Sequence, residues 1–302
     1  MPEAKLLNLP DAIERCIPPG STVVLGTCFE SLIPFAAGRE IIRQAKSDLT
    51  LVGPISDILF DQLIGAGCVS GVRAAWVGNV ITGSGYNFRR AVESGGITVE
   101  DHTNLTLALA LKAGAMGVPF LPTYTALGSD LHQSPGLKIV VCPFTQKRLT
   151  AVAAICPDVA VIHVQRADVY GNAHLWGNLG VSREACLASR HILLTAEDIV
   201  DSDVIRSDPN RVLTPGFRVS AVVHAPWGAH PSPVPGYYNR DHQFFLDYRR
   251  QSRTADSFKR WVAQWIQTAD SQKDGGHQLG PERLKALRLQ RHLWAEGVDY
   301  GY

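Results

Sequence analysis

Short runs of β-branched and apolar residues alternate along this chain with longer segments of helical period, and this alternation restricts the fold more than any other feature. It is typical of a parallel sheet whose strands are connected by helices. Several runs are apolar at nearly every position, as in strands that helices cover on both faces, whereas half-exposed antiparallel strands alternate. Strands are predicted at residues 22–25, 49–52, 72–77, 138–142, 159–164, 192–195 and 218–223, with a short extended run at 97–99.

Helices are predicted between these strands, at residues 33–44, 58–66, 87–93, 104–113 and 183–188. The expected fold class is therefore α/β, an open, mostly parallel sheet flanked by helices. From Gly228 the composition changes, through the turn-rich HPSPVPGYYNRD, into polar helical stretches at 244–252, 257–268 and 281–294. We expect an α/β domain over 1–227 and an irregular loop plus a helical extension over 228–302 that packs on it. Residues 271–281, rich in Gly and polar side chains, are predicted to be a flexible linker.

The charge balance argues against several classes of function. Lys and Arg total 29 against 28 Asp and Glu, a net charge of +1 that marks no general surface for nucleic acid or an acidic membrane. No apolar stretch approaches the roughly 18 residues of a transmembrane helix, and the N-terminus lacks a signal-peptide pattern, so a cytoplasmic protein is expected. The six cysteines form no CxxC pair or Cys/His cluster. We expect no metal site and mostly buried thiols, with Cys28 left open.

The first motif that suggests chemistry is WVGNVITGSGYNFRRAVE at residues 76–93, a strand, a glycine loop and a helix that opens near Asn87. Glycines allow close approach of a ligand, a helix N-terminus presents free N–H groups, and Arg89 and Arg90 add donors for phosphate or carboxylate. An anion site is predicted, and the alternative is a tight loop with two solvated arginines. The dinucleotide pattern GxGxxG fails, because Phe88 stands at its third glycine.

The second motif is the acidic stretch at residues 100–104, which lies between a short extended run and an apolar helix. Glu100 and Asp101 beside His102 are the side chains that general acid/base or nucleophilic chemistry uses. The structural alternative is that Asp101 and Thr103 are ordinary N-cap residues of a helix and that Glu100 lies on a solvated rim. Both interpretations stay open at this point.

Two further segments are turn-rich. Tyr170, Gly171 and Asn172 predict a tight hairpin turn in which Gly supplies a positive φ. The prolines and glycines of residues 228–241 predict a rigid loop that lines a site or a subunit contact. The polar and aromatic side chains on that loop are His230, Tyr237, Tyr238, Asn239 and Arg240.

These stretches, in this order and over nearly the whole chain, resemble the A (alpha) subunit of family I coenzyme A transferases, most closely the glutaconate CoA-transferase branch. The ADxxGN turn and the GNV…FRRA segment are the most specific of them. The matching stretches are GSTVVLG (20–26), VGNVITGSGYNFRRAVE (77–93), VEDHTN (99–104), GAMGVPFLPT (114–123), ADVYGN (167–172) and GAHPSPVPGYY (228–238).

The resemblance implies an open α/β subunit that pairs with a similarly folded B subunit, often as an α2β2 assembly, with the active site at their interface. A glutamate of the B subunit then attacks an acyl-CoA thioester, and CoA passes through a glutamyl-CoA thioester to an acceptor carboxylate. Coenzyme A is part of the substrate, so that no separate cofactor is expected. This chain would supply binding walls and supporting groups. The predicted substrate-binding residues are Gly26, Thr27, Cys28, Gly78, Asn79, Gly83, Gly85, Asn87, Phe88, Arg89 and Arg90, and the candidate catalytic residues are Glu100, in a supporting or acid/base role, and Asn104.

The chain departs from the family pattern at its first turn. The family usually has Gly-Gly-Phe there, whereas this chain has Gly26-Thr27-Cys28-Phe29, and two added side chains are expected to narrow the turn and alter the acyl pocket. Some relatives on the same scaffold are not transferases. They open a carbon ring of a CoA thioester by hydrolysis, as in steroid breakdown, or decarboxylate a CoA thioester. In the ring-opening relatives an acidic residue in the stretch like 100–104 is implicated. A hydrolase or decarboxylase is therefore the second hypothesis, and a binding or assembly subunit without chemistry is the third.

Overall fold

The structure is a computed structural model that describes residues 3–267 and 279–289. The strands are β1 (Leu6–Leu7), β2 (Thr22–Val24), β3 (Leu49–Ile55), β4 (Val69–Trp76), β5 (Gly78–Asn79), β6 (Gly83–Ser84), β7 (Thr98–Asp101), β8 (Phe120–Thr123), β9 (Leu137–Val141), β10 (Arg148–Ala153), β11 (Val159–Ala167), β12 (Ala173–His174), β13 (His191–Ile199) and β14 (Ala221–His224). The helices are α1 (Leu9–Cys16), α2 (Phe35–Arg43), α3 (Leu59–Gly65), α4 (Tyr86–Glu93), α5 (Asn104–Met116), α6 (Ser182–Ala188), α7 (Ser202–Arg206), α8 (His242–Gln251), α9 (Ala255–Val262) and α10 (Pro281–Leu287). Within these ranges no helix is both long and apolar enough to cross a membrane.

The main sheet is parallel and is covered on both faces. Its strands follow the order β1–β14–β13–β11–β2–β3–β4–β7, and β12 adds an antiparallel pair beside β11. Successive residues of one strand point to opposite faces, so that Val23 joins an apolar cluster with α1, α2 and α3 while Val24 joins another with α5 and α6. This arrangement confirms the predicted open, mostly parallel sheet flanked by helices.

One predicted strand belongs to a different sheet. The segment predicted at 138–142 is β9, which pairs antiparallel with β10 in a small sheet of order β8–β10–β9. Lys138 and Ile139 are exposed there, so that the strand is not covered on both faces. The sequence pattern did not predict β8, β10 or α1. It also placed the last strand too early, because Gly216–Arg218 forms a 3₁₀ turn and β14 begins at Ala221.

The C-terminal helices lie close to the predicted positions. The stretches at 244–252 and 257–268 correspond to α8 and to α9 with the π-helical turn Ala263–Gln267, and the stretch at 281–294 corresponds to α10. Phe244 and Trp261 are buried in the apolar cluster that also holds α1, α2 and α3. Residues 268, 271–278 and 290–294 lie outside the described residues. The boundary at 227 and the linker at 271–281 stay predictions.

The cysteines are free thiols, and their burial differs. Cys16, Cys28, Cys68 and Cys186 are buried, whereas Cys142 is partly exposed and Cys156 is exposed. Burial thus holds for most of them, as expected of thiols that pack as small hydrophobes. In the part of the chain that the structure describes, no group of three or more His, Cys, Asp or Glu side chains could hold a metal ion.

Helix α5 begins with a capping box at Thr103. The Thr103 hydroxyl accepts from the backbone N–H of Thr106 at 3.0 Å, and the Thr106 hydroxyl accepts from the backbone N–H of Thr103 at 2.9 Å. Asp101, the other residue considered as a cap, is exposed at the end of β7 and does not cap the helix.

Thr103→Ala removes this cap and is expected to lower the free energy of unfolding by about 0.5 to 2 kcal/mol. Asp101→Ala is the control and should change it by no more than about 0.5 kcal/mol, because the side chain is exposed and caps nothing. Urea unfolding followed by circular dichroism measures both values. A larger effect from Asp101→Ala would return the capping role to the carboxylate.

Candidate active site

The direction in which the chain winds reverses between β2 and β11, and this reversal locates a candidate site. From β2 the chain adds β3, β4 and β7 on one side, and from β11 it adds β13 and β14 on the other. In open α/β sheets, ligands bind in the crevice outside the carboxyl ends of the strands at such a point. The turn Gly26–Phe29 follows β2 there.

Two glycines allow this turn to pack closely against neighbouring segments. Gly26 has a φ of +66°, and a Cβ on it would lie 2.4 Å from Ser56 Oγ. A Cβ on Gly180 would lie 2.0 Å from the carbonyl oxygen of Thr27. Any side chain at either position would therefore displace the turn. The Gly26–Phe29 turn, which we call the switch-point turn, is held between the loop after β3 and the segment before α6.

The side chains of Thr27 and Cys28 pack inside this chain. The Thr27 hydroxyl lies 2.7 Å and the Cys28 sulfur 3.0 Å from Ser182 Oγ. Cys28 is 1% exposed, and burial raises the pKa of its thiol to about 11. The two side chains that distinguish this turn from the family pattern are thus turned towards α6, and Phe29 is the half-buried residue of the turn.

The glycine loop at 78–85 forms a small hairpin of β5 and β6 rather than an open cradle. Gly78 and Gly83 both have positive φ values, at +141° and +87°. Asn79 is buried, and its side-chain oxygen accepts from the backbone N–H groups of Ile81 and Thr82 at 2.9 Å each. Asn79 therefore shapes the hairpin from inside.

The N-terminus of α4 is occupied by a carboxylate of the chain itself. The backbone N–H of Phe88 donates to Asp61 Oδ1 at 2.8 Å, and Asn87 Nδ2 donates to Asp61 Oδ2 at 3.0 Å. A Cβ on Gly85 would lie 2.1 Å from Asp61 Oδ1. Asp61 is fully buried, and burial raises its pKa. The anion at this helix terminus is internal, so that Gly85, Asn87 and Phe88 have a structural role.

The two arginines of α4 have different surroundings. Arg90 donates to the carbonyl oxygens of Ser252 at 3.1 Å and Arg253 at 2.9 Å, and so ties α4 to the end of α8. Arg89 is exposed, with its guanidinium 5.8 Å from the centre of the Tyr86 ring. Arg89 is therefore the arginine of this pair that faces solvent.

The acidic cluster lies at the outer edge of the main sheet. Glu100 on β7 is opposite Arg73 on β4, with Arg73 Nε 3.0 Å from Glu100 Oε2 and His102 Nε2 3.1 Å from Oε1. The hydrogen bond from His102, together with the Arg73 charge, lowers the pKa of Glu100 although partial burial opposes this. His102 Nδ1 lies 3.2 Å from the Thr106 hydroxyl, and Asn104 is exposed in the first turn of α5. Glu100 is thus an ionised group held in an ion pair.

A cavity of about 570 Å³ opens at the other end of the same carboxyl edge, beyond β13 and β14. Tyr237 donates to Asp198 at 2.6 Å, and Trp227 stacks on Tyr238 with the ring centres 4.2 Å apart. The lining residues are Glu197, Asp198, His224, Pro226, Trp227, Gly236, Tyr237, Tyr238, Arg288 and Leu289. The loop at 228–241 therefore contributes to a cavity wall.

The sequence motifs did not include Glu197, the most deeply engaged carboxylate of that cavity. Glu197 is 4% exposed, accepts from the Tyr238 hydroxyl at 2.6 Å and lies 2.8 Å from His163 Nε2. The sequence signal that could have identified Glu197 is the pair of acidic residues inside the otherwise apolar strand HILLTAEDI. The hairpin predicted at Tyr170–Asn172 is confirmed, because Gly171 has a φ of +94° and β11 pairs with β12 across the turn.

Comparison with known proteins agrees with this geometry. The family model for coenzyme A transferase matches residues 7–225. The A-type chain of 3-oxoadipate CoA-transferase from Pseudomonas knackmussii is 43% identical over 87% of this chain and 94% of that protein. The crystal structure of glutaconate coenzyme A-transferase from Acidaminococcus fermentans superposes with a TM-score of 0.91 at 30% identity, over 96% of this chain and 97% of that one.

A relative with different chemistry is more distant. The cholesterol ring-cleaving hydrolase IpdA subunit from Rhodococcus jostii is 28% identical over 87% of this chain and 92% of that protein. The resemblance found in the sequence is confirmed by the matched family model and by the shared fold. This chain belongs to the coenzyme A transferase family.

Proposed function

We propose that this chain is the A-type chain of a CoA-transferase that moves CoA between carboxylic acids, and that a B-type partner carries the nucleophilic glutamate. The relatives that act on 3-oxoadipate and glutaconate are A-type chains by name, which supports a second, B-type chain here. The acceptor and donor are an organic acid and an acyl-CoA, with no further cofactor. An α2β2 assembly, the cytoplasm and a role in catabolism are part of the same proposal.

The observation that carries this proposal is that the buried carboxylates at the carboxyl edge, among the described residues, are already engaged. Glu30 and Asp57 contact Arg240, and Glu197 contacts His163 and Tyr238. A nucleophilic carboxylate needs an oxygen that can approach the thioester carbonyl, and a buried carboxylate gives up its partners only at a large cost. The nucleophile is therefore expected from another chain.

The chemistry divides between the two chains accordingly. The partner's glutamate attacks the thioester carbonyl, which gives a mixed anhydride and releases the CoA thiolate. The thiolate then attacks the glutamyl carbonyl, which releases the first acid and leaves a glutamyl-CoA thioester. The acceptor carboxylate takes over CoA by the reverse steps. The residues of this chain would bind and orient CoA, a contribution to catalysis that positioning alone can make large.

The substrate class follows from the named relatives. 3-Oxoadipate and glutaconate are both short dicarboxylic acids. We propose that this enzyme also takes a short dicarboxylic acid, whose second carboxylate requires a cation or hydrogen-bond donors at the site. The cavity beyond β13 and β14 has the size for such an acid, and Arg288 is a cation in its wall. The carboxylates of Asp198 and Glu197 in the same wall accept hydrogen bonds from Tyr237 and Tyr238.

The alternative is a hydrolase in which Glu100 acts as acid or base, and its support is the relative that opens a steroid ring. The geometry favours the transferase. A general acid or base works best with a pKa near the operating pH, whereas the hydrogen bond from His102 lowers the pKa of Glu100. Both oxygens of Glu100 are also paired, one with Arg73 and one with His102.

Trapping the covalent intermediate tests the proposal. The purified complex of this chain and its B-type partner is incubated with an acyl-CoA, treated with hydroxylamine or borohydride, and digested for mass spectrometry. We expect a modified glutamate on the partner and none on this chain. A modified carboxylate on this chain, or steady hydrolysis without any covalent adduct, would refute the proposal.

Glu100→Gln separates the two enzymes. In the transferase the residue supports neighbouring groups, so the change should lower kcat/KM by up to about 10²-fold through misplacement, with the glutamyl-CoA still forming. In a hydrolase that uses Glu100 as its acid or base, the loss should be about 10² to 10⁴-fold with no intermediate. Steady-state kinetics and the trapping assay together decide. Wild-type turnover would remove Glu100 from the mechanism.

Arg89→Ala and Arg90→Ala form a matched pair on α4. Arg89→Ala should raise KM for acyl-CoA with kcat nearly unchanged, because a phosphate contact is made equally in the ground and transition states. Arg90→Ala should lower the melting temperature instead, since it frees two backbone carbonyls at the end of α8. Kinetics and thermal melting give both values. An unchanged KM for Arg89→Ala would make that arginine a solvated charge.

A further inference from the structure

A buried guanidinium connects the loops beside the switch-point turn. Arg240 comes from the loop before α8, and its side chain is 0% exposed. Its Nη2 donates to Asp57, after β3, and its Nη1 lies 3.5 Å from Glu30 Oε2, after β2. The ring of Phe245 covers the guanidinium, with Cζ 4.0 Å from the ring centre. One cation thus links the carboxyl ends of two adjacent strands.

The network extends to the loop after β4 through Asn79. Asn79 Nδ2 donates to Asp57 Oδ1 at 3.0 Å, and the same side chain accepts from the backbone of the β5–β6 hairpin. The loop after β2 is also bonded to the segment before Arg240, because Leu32 N–H donates to the carbonyl of Pro233 at 3.0 Å. Three loops of the carboxyl edge therefore depend on one another's positions.

The backbone of these loops needs such support. Phe29, Leu32 and Asp57 are not glycines, yet their φ values are +59°, +56° and +49°. A side chain disfavours this left-handed region, and such residues persist only where the surrounding contacts determine their conformation. Phe29 is the half-buried residue of the switch-point turn. Strained backbone thus coincides with the switch point of the sheet, where ligands bind in open α/β folds.

We propose that Arg240 is a positioning residue, which fixes the reactive geometry of the Gly26–Phe29 turn by holding Glu30 and Asp57. This inference rests on the proposed function, because it takes the turn to face the acyl-CoA. Arg240 itself touches no substrate, since it is fully buried. Substitution of Arg240 is expected to lower kcat, because a small displacement of the reacting groups slows the reaction more than it weakens binding.

The charge of the cluster provides a readout. Two carboxylates share one guanidinium, and burial raises the pKa of Asp57 to about 6, with Glu30 acting in the same direction and Arg240 and Asn79 opposing it. As the pH falls through about 6, Asp57 takes up a proton and its bond to Arg240 weakens. The folded chain binds this proton more tightly than the unfolded chain, so the titration of Asp57 stabilises the fold at low pH. If kcat falls as Asp57 takes up this proton, the fall is therefore not caused by unfolding.

The experiment measures kcat and KM of the complex with its partner across the range that spans the Asp57 titration. Arg240→Lys should lower kcat by about 10 to 100-fold at neutral pH, with KM changed less than kcat. In Asp57→Asn the fall of kcat near pH 6 should disappear. If Arg240→Lys does not fold, the triple variant Glu30→Gln, Asp57→Asn, Arg240→Met replaces it, because no buried charge is left unpaired. The same loss of kcat is expected there.

The matched control is Lys46→Met. Lys46 Nζ lies 2.7 Å from Glu14 Oε2, and the Lys46 side chain is 7% exposed whereas that of Glu14 is 74% exposed, so the control removes a buried cation whose partner faces solvent. It precedes β3 and lies at the opposite, amino edge of the sheet. The control should lower the melting temperature without changing kcat or its pH profile. A kcat for Arg240→Lys equal to that of the control, or a fall near pH 6 that persists in Asp57→Asn, overturns the proposal.

Failure of the proposed function gives a different result. If the wild-type complex transfers no CoA, hydrogen exchange of residues 26–34 still tests the role of Arg240. Faster exchange of this segment in Arg240→Lys than in Lys46→Met supports the positioning role. Equal exchange in the two variants refutes it, whatever the reaction of the enzyme.

Discussion

The burial of both faces of a parallel sheet is the constraint on which the rest of this structure depends. Parallel neighbours need a crossover, and the crossovers here place α1, α2 and α3 on one face and α5 and α6 on the other. All strand ends of one kind then lie at a single edge. The loops after β2, β3, β4, β13 and β14 therefore lie along that edge.

Several charged side chains at this edge are buried, and they are paired with other groups of the same chain. Arg240 pairs with Asp57 and Glu30. Glu197 pairs with His163, and Asp61 accepts from the N-terminus of α4. A buried charge without a partner is far more costly than a paired one. Because these carboxylates are already engaged within the chain, we propose that a second chain supplies the reactive group.

The fold alone does not decide the reaction, because one scaffold hosts several chemistries. Its relatives include transferases named for 3-oxoadipate and glutaconate and a hydrolase that opens a steroid ring. What separates these hypotheses in this chain is the state of Glu100. Glu100 is held in an ion pair between Arg73 and His102, and this state favours the transferase that we propose.

The sequence by itself determined most strands of the main sheet and most helices between them, because apolar periodicity and turn residues such as Gly171 act over a few positions. It also determined the family and identified the stretches 76–93 and 100–104 as chemically unusual. Only the tertiary structure decided that Asp61 fills the helix terminus at Phe88, that Arg90 is bound to the end of α8, and that Arg240 meets Asp57 and Glu30. These partners lie 27 to 210 positions apart in the chain. Local pattern carries no information on such pairs, since long-range packing and the burial of charge select them.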